Sequence, residues 1–274
     1  MPNVISDGVS IHYEVKGHGS PVLLLAGLAG VGASWGAQID LFAGGHQVIV
    51  PDHRGTGASE HTARAMTIAQ HARDMARVVE MVGCGPVHVV GSSTGGAIAQ
   101  LMAIHHRELL RSATIISSIA RADAYYRRQF EMRRRMLADS GLRASTEANA
   151  LFLFAPRFQR EHPERVQAWV NTTAAGPFES EIGFARIDMI VGHDAFDDLP
   201  SIATPTLVLV GDRDFCAPAY FSEELAARIP GAELAILEGG HFIFLEKPDL
   251  VHNAVESFIA KHEQPGLGRT APQT

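Results

Sequence analysis

Three residues in this chain are of types that do chemistry together: Ser93, an aspartate at 212 or 214, and His241. A serine hydroxyl is a weak nucleophile at neutral pH. It needs a base whose pKa lies near 7, which histidine supplies. The histidine needs a carboxylate to hold its tautomer and to stabilise the imidazolium. An acyl group under attack also needs two preorganised N–H donors for its oxyanion. The chemistry these types point to is nucleophilic acyl transfer through an acyl-enzyme.

Each of the three follows a short apolar run. Val87-His88-Val89-Val90 reads as a strand covered on both faces, and Gly96 to Met102 reads as an apolar, covered helix. Between them, Gly91-Ser92-Ser93-Thr94-Gly95 fits G-x-S-x-G. A sharp strand-to-helix turn closes only with hydrogen side chains at Gly91 and Gly95, and it leaves the serine Oγ exposed. The helix N-terminus behind Ser93 favours developing negative charge. The pattern centres on Ser93, so Ser92 is expected to turn away and shape the pocket. Thr206 to Val210 is a strand ending in Gly211-Asp212-Arg213-Asp214, and Glu233 to Leu237 is a strand ending in Glu238-Gly239-Gly240-His241.

The elements that must position these residues can be read along the chain. Asp7-Gly8 joins two alternating runs into a hairpin. Val22 to Ala26 is a buried strand that runs into the glycine-rich loop Gly27-Leu28-Ala29-Gly30-Val31-Gly32, whose free backbone N–H groups could form half of an oxyanion hole. Ser34 to Leu41 reads as one short helix. Gln47 to Val50 is a strand followed by the loop Pro51 to Ser59, in which Asp52 and Arg54 are expected to pair and pin the turn. Thr67-Ile68-Ala69-Gln70 is a capping box, and Ile68, Ala72, Met75, Val79 and Val82 form one apolar stripe ended by Gly83. Ser112 to Ser118 is a further strand, Pro218 to Ile229 a helix, and Pro248 opens a closing amphipathic helix.

Strands alternating with helices predict an α/β protein with a parallel sheet covered on both faces. The alternation stops between about 119 and 198. There the sequence is helical and arginine-rich, broken at Ser140-Gly141, His162-Pro163 and Gly176-Pro177. The organisation expected is a core of 1–118 and 199–262, a helical cap of 119–198 over the strand ends, and a Pro/Gly/Thr-rich tail of 263–274. Within the cap, Arg121, Arg127, Arg128, Arg133, Arg134 and Arg135 cluster. A solvated face accounts for most of them. A sharper reading turns one inward to pair with a substrate carboxylate.

Bulk composition narrows the classes. The 274 residues are 46% hydrophobic, ample for a core, and the net charge of −7 offers no basic footprint for nucleic acid. The 14 histidines show no H-E-x-x-H pattern and no Cys/His pairing at zinc spacing, so no metal is expected. Cys84 and Cys216 are isolated, which fits reduced thiols in a cytoplasmic protein. No leader-like start and no apolar run near membrane length is seen, so no membrane is expected.

With these segments together, the chain resembles an α/β-hydrolase from Val4 to about His262. The matching stretches are Asp52-His53-Arg54-Gly55-Thr56-Gly57-Ala58-Ser59, the Gly91–Gly95 elbow, Gly211–Asp214 and Gly240–Pro248. The Ser…Asp…His order is also that of the family. The resemblance implies the α/β-hydrolase fold, a mostly parallel central sheet with helices on both faces and a helical cap. It places the acid on Asp214 rather than Asp212 and the base on His241. It places the oxyanion donors on the amides of Leu28 and Thr94. Substrate contacts are expected at Gly27, Phe215 and Phe242. The early loop has Ala26-Gly27 where many members have His-Gly. Within the superfamily the chain resembles the branch of 3-oxoadipate enol-lactonases and aminoacrylate hydrolases. The cues are Gly27-Leu28-Ala29-Gly30, Ser34-Trp35, the Arg54–Gly57 loop and Leu151-Phe152-Leu153-Phe154-Ala155-Pro156. That likeness implies small, often carboxylated metabolites and no cofactor.

The expected activity is therefore hydrolysis of a small ester or lactone. Amide or carbon–carbon bond hydrolysis on the same residues stays open, as do a perhydrolase side activity and a slow ligand sensor on a hydrolase scaffold. Asp123 is an alternative acid, since some α/β-hydrolases carry it after that strand. The partner expected is a small-molecule substrate, with a homodimer kept open.

Overall fold

A computed structural model describes residues 2–176 and 178–263; the 264–274 part of the expected tail and Pro177 lie outside them. Eight strands form one sheet in the order β1-β2-β4-β3-β5-β6-β7-β8. β1 (Asn3–Ser6) and β2 (Val9–Lys16) are the hairpin, with Asp7 and Gly8 both at positive φ, the geometry that matches the twist of paired strands. β2 also runs antiparallel to β4 (His46–Pro51). β3 (Ser20–Leu25), β4, β5 (Val87–Ser92), β6 (Leu110–Ile116), β7 (Thr206–Gly211) and β8 (Glu233–Leu237) are mutually parallel.

Period-two alternation sorts the core into two layers. Leu23 and Leu25 of β3, Val87 and Val89 of β5 and Ile115 of β6 face one layer. Val22, Leu24, Val90 and Ile116 face the other. Helix α1 (Ala37–Ala43) packs on β4, and α2 (Ile68–Val82) packs on β1, β2 and α3 (Thr94–His105), which packs on the central strands β3, β5 and β6. α3 is buried over its first ten residues, Thr94 to Ala103. This is what an apolar-all-round helix requires. Between β6 and β7 stand α4 (Ala124–Leu153, with a non-helical break at Gly141), α5 (Pro156–Glu161), α6 (Pro163–Ala175) and α7 (Ser180–Val191). α8 (Ala219–Arg228), α9 (Ile243–Glu246) and α10 (Pro248–His262) complete the core.

Local details differ from the sequence expectations. The single helix from Ser34 to Leu41 is a 3-10 turn, Gly32–Trp35, and then α1, split by Gly36 at φ 53°. The strand expected from Ser112 to Ser118 runs from Leu110 to Ile116, and Ser117 leaves it at φ 51°. Only half of the capping box forms: Thr67 accepts from the Gln70 amide, while the Gln70 side chain turns to Asp74. Asp52 and Arg54 do not pair. The Asp52 carboxylate accepts from the Gly32 and Ala58 amides at 2.7 and 2.9 Å. Arg54 reaches across to α2 and forms a buried bidentate pair with Asp74, both bonds 2.7 Å. One amide binds each oxygen of Asp52, and the planar guanidinium of Arg54 finds a bidentate partner in Asp74.

Candidate active site

Ser93 joins β5 to α3 at φ 54° and ψ −114°, a conformation that costs a non-glycine residue roughly 1–3 kcal/mol. The surroundings hold it there: its N–H donates to Ile116 O at 2.8 Å, and its carbonyl accepts from Ser118 Oγ at 2.7 Å. The flanking glycines are required by space. A Cβ on Gly91 would lie 2.2 Å from the Gly95 carbonyl, and one on Gly95 would lie 2.1 Å from the Leu25 carbonyl. Ser92 is buried with Oγ unpartnered among the described residues.

Asp214 and His241 meet at the ends of β7 and β8. His241 Nδ1 lies 2.8 Å from Asp214 Oδ2 and 3.0 Å from Oδ1. An ionised carboxylate only accepts, so Nδ1 carries the proton and donates it to Asp214. Asp214 Oδ1 is oriented by the amides of Cys216 and Ala217 at 2.9 and 2.8 Å. Burial opposes the imidazolium, but the Asp214 charge, with the Cys216 thiol and the Asp214 hydrogen bond, outweighs it and raises the His241 pKa above the ordinary imidazole value. No hydrogen bond joins Ser93 Oγ to His241 among the described residues. Such bonds often form only in the substrate complex.

The other expected residues fall as follows. Asp212 accepts from the Gly239 amide at 3.1 Å and braces the loop before His241. Asp123 caps α4 through the Tyr126 amide and accepts from the Tyr220 hydroxyl. It makes no bond to His241, so the alternative acid is not brought to the histidine. The Leu28 amide donates to no protein group among the described residues, and Thr94 N–H is one of the orphan donors of the first turn of α3. Gly27 faces the serine: a Cβ there would sit 3.6 Å from Ser93 Cβ. Phe242 packs beside His241, ring centroids 5.8 Å apart, and against Phe154 and Trp169. Phe215 is 42% exposed, and its carbonyl accepts from Gln129 Nε2 at 2.9 Å and from the Tyr125 hydroxyl, both on α4.

Three residues near the site are not marked as site residues by the sequence. Glu246 accepts from the Gly240 amide at 3.0 Å and the Ala155 amide at 2.7 Å, tying the histidine loop to the end of α4. Cys216 lies beside His241 and Arg133. Arg186 of α7 is buried against the Leu28 loop. A polar residue at a core position of an apolar helix is the signal that would have found Arg186, which falls four residues from both Ile182 and Ile190. Of the arginines clustered after β6, Arg133 turns inward. Its guanidinium stacks on Phe130, 4.4 Å from the centroid, with Nη1 3.6 Å from Cys216 Sγ and no carboxylate partner among the described residues.

An elbow serine, a carboxylate-bound histidine and two unclaimed amides are the parts an acyl-transferring hydrolase uses. Residues 20–248 match the family described as alpha/beta hydrolase fold, and the chain belongs to that family. A putative carbamate hydrolase, RutD, of Azorhizobium caulinodans is 35% identical over 265 residues, covering 96% of this chain and 100% of that protein. A thermophilic esterase from Thermogutta terrifontis superposes with a TM-score of 0.85 at 27% identity, covering 96% of this chain and 100% of the esterase. The enol-lactonase from Burkholderia xenovorans shares the fold, with a TM-score of 0.86 at 22% identity over 94% of this chain and 100% of the lactonase. Among the described residues no helix is long and apolar enough to cross a membrane, and no cluster of His, Cys, Asp or Glu could hold a metal ion.

Proposed function

We propose that the chain is a serine hydrolase that cleaves a small, carboxylated ester or lactone. Ser93 Oγ attacks the carbonyl as His241 Nε2 takes its proton, and Asp214 holds the imidazole and stabilises its charged form. The Leu28 and Thr94 amides hold the oxyanion. The tetrahedral adduct collapses when His241 returns the proton to the leaving alkoxide, giving the acyl-enzyme. Water, deprotonated by His241, then frees the acid and Ser93. Gly27 leaves room for the acyl group beside Ser93, and Phe242 walls the histidine side.

The observation that carries this reading is the direct Asp214–His241 bond at the same C-terminal edge of the sheet as a serine held at positive φ. The esterase neighbour supports an ester substrate. The buried Arg133 guanidinium, bonded to Cys216 Sγ and without a carboxylate partner among the described residues, supports a substrate carboxylate, which a planar fork binds well. A second reading, carbamate or amide hydrolysis on the same residues, is favoured by the 35% identical carbamate hydrolase relative.

The test is a panel of a succinate half-ester, its dimethyl ester and a matching carbamate, with wild type, Ser93→Ala and Arg133→Gln. The half-ester should turn over fastest, and Ser93→Ala should lose at least ~10³-fold in kcat. Arg133→Gln should raise KM for the half-ester by about tenfold and leave the dimethyl ester unaffected. Undiminished turnover by Ser93→Ala would sink the serine assignment. A carbamate preferred in kcat/KM would select the second reading.

A further inference from the structure

Leu28 lies inside a tight turn. The Gly30 N–H donates to Gly27 O at 2.9 Å, so Leu28 and Ala29 are its central residues. The peptide between Gly27 and Leu28 carries the N–H offered to the oxyanion. The next peptide, between Leu28 and Ala29, is the central one, and rotation of that unit separates the common turn types. Its carbonyl accepts from a single donor among the described residues, Nε of Arg186.

Arg186 comes from α7, in the segment between β6 and β7, and it is 4% exposed. The same guanidinium donates to Arg54 O at 3.3 Å and lies 3.5 Å from His53 Nδ1. It has no carboxylate partner among the described residues. Asp52 is occupied by amides and Asp74 by Arg54. Gly30, at φ 72°, makes room for it: a Cβ there would meet Nη2 at 2.2 Å. Gly30 O is itself held by the His53 amide at 2.8 Å and Thr56 Oγ1 at 3.0 Å. A buried, unpaired charge is costly unless hydrogen bonds satisfy it, and those found here go to the loops at the ends of β3 and β4. Burial lowers the Arg186 pKa to about 9, so it stays charged at neutral pH.

We propose that Arg186 is a positioning residue of the oxyanion hole: it clamps the central peptide of the Leu28 turn and fixes the direction of the Leu28 N–H. The clamp rests on the serine-hydrolase reading above. Because the donor comes from a helix beyond β6, the hole is complete only when that helix is docked. No hydrogen bond joins the guanidinium to Ser93, Asp214 or His241 among the described residues, so its loss is expected to act on the transition state rather than on substrate binding.

The experiment compares wild type with Arg186→Gln and Arg186→Lys. Active sites are counted by fluorophosphonate labelling of Ser93, so kcat is expressed per competent serine and misfolded protein drops out. A boronic acid inhibitor, whose tetrahedral anion places an oxygen in the hole, reports the same site without turnover. Loss of a well-aimed donor or an ångström of misplacement costs ~10²-fold, so Arg186→Gln should lose about 10–100-fold in kcat with KM within about twofold. Boronate affinity should weaken by a like factor, and Arg186→Lys, which keeps charge but not the fork, should fall between. If Arg186→Gln does not fold, the lysine variant gives the same reading. A kcat per labelled serine within about twofold of wild type in the folded variants would overturn the clamp. A rise in KM at constant kcat would overturn it too, by making Arg186 a substrate-binding residue. Wild type that takes no label would break the serine-hydrolase reading itself, which separates the two failures.

Discussion

On the β7–β8 side of Ser93, the buried carboxylate of Asp214 faces a histidine. On the β3–β4 side, Asp52 faces amides and Asp74 faces Arg54, and neither His53 nor His71 has a carboxylate bound to it among the described residues. The consequences are opposite. His241 is raised in pKa despite full burial. His53 is lowered well below the ordinary value by burial, by His71 and by Arg186, and His71 is lowered to about 4 by burial and Arg186, against the pull of the Thr67 carbonyl and Asp74. Both rings are fully buried and 5.3 Å apart. The difference teaches that burial does not make a base. The placement of one carboxylate does, and on the second flank His53 and His71 stay neutral among side chains that hold loops.

The largest effect should come from removing that carboxylate. Asp214→Asn is expected to lower kcat by about 10⁴-fold, through loss of the tautomer and of imidazolium stabilisation. The acid limb of kcat/KM tests the sign. Activity needs neutral His241, so it falls as pH drops through the raised pKa; without Asp214 that limb moves to lower pH. A limb that does not move would mean that Asp214 does not set the basicity of His241.

On the scaffold flank, Arg54→Met leaves Asp74 buried with only Ser6 and Gln70 as side-chain donors. Breaking such a pair costs roughly 3–5 kcal/mol, read as a lower denaturation midpoint, while kcat per labelled serine changes far less than in Asp214→Asn. Equal losses of kcat would erase the distinction between the flanks.

The smallest effect is the pH dependence of stability. His71 and His193 are both lowered to about 4, His193 chiefly by burial, from an ordinary value of 6.5. Between those values the unfolded chain binds protons that the native state refuses, so stability rises with pH. Denaturant unfolding should therefore show less stability at pH 5 than at pH 7, and His71→Gln should flatten the slope.

Much of this was legible in the sequence because the fold follows periodicity. The apolar runs before Ser93, Asp214 and His241 are strands, and the glycines at 91 and 95 are where a Cβ would strike backbone. Partner choice across the fold was not legible. Asp52 and Arg54 sit two residues apart and invite pairing, yet their carboxylate and guanidinium are used on different elements. Arg54 finds Asp74, 20 residues on, because both are buried on facing elements. Arg186 reaches the Leu28 loop across 158 residues of sequence. Nothing in local spacing encodes such a contact, although an arginine on an apolar stripe marks that one exists.

The central claim is that Ser93 is an activated nucleophile. Its most direct test is the intact mass of wild type and Ser93→Ala after fluorophosphonate treatment. The account predicts one adduct on wild type and none on the variant. An unlabelled wild type, or an adduct that survives in Ser93→Ala, would contradict it.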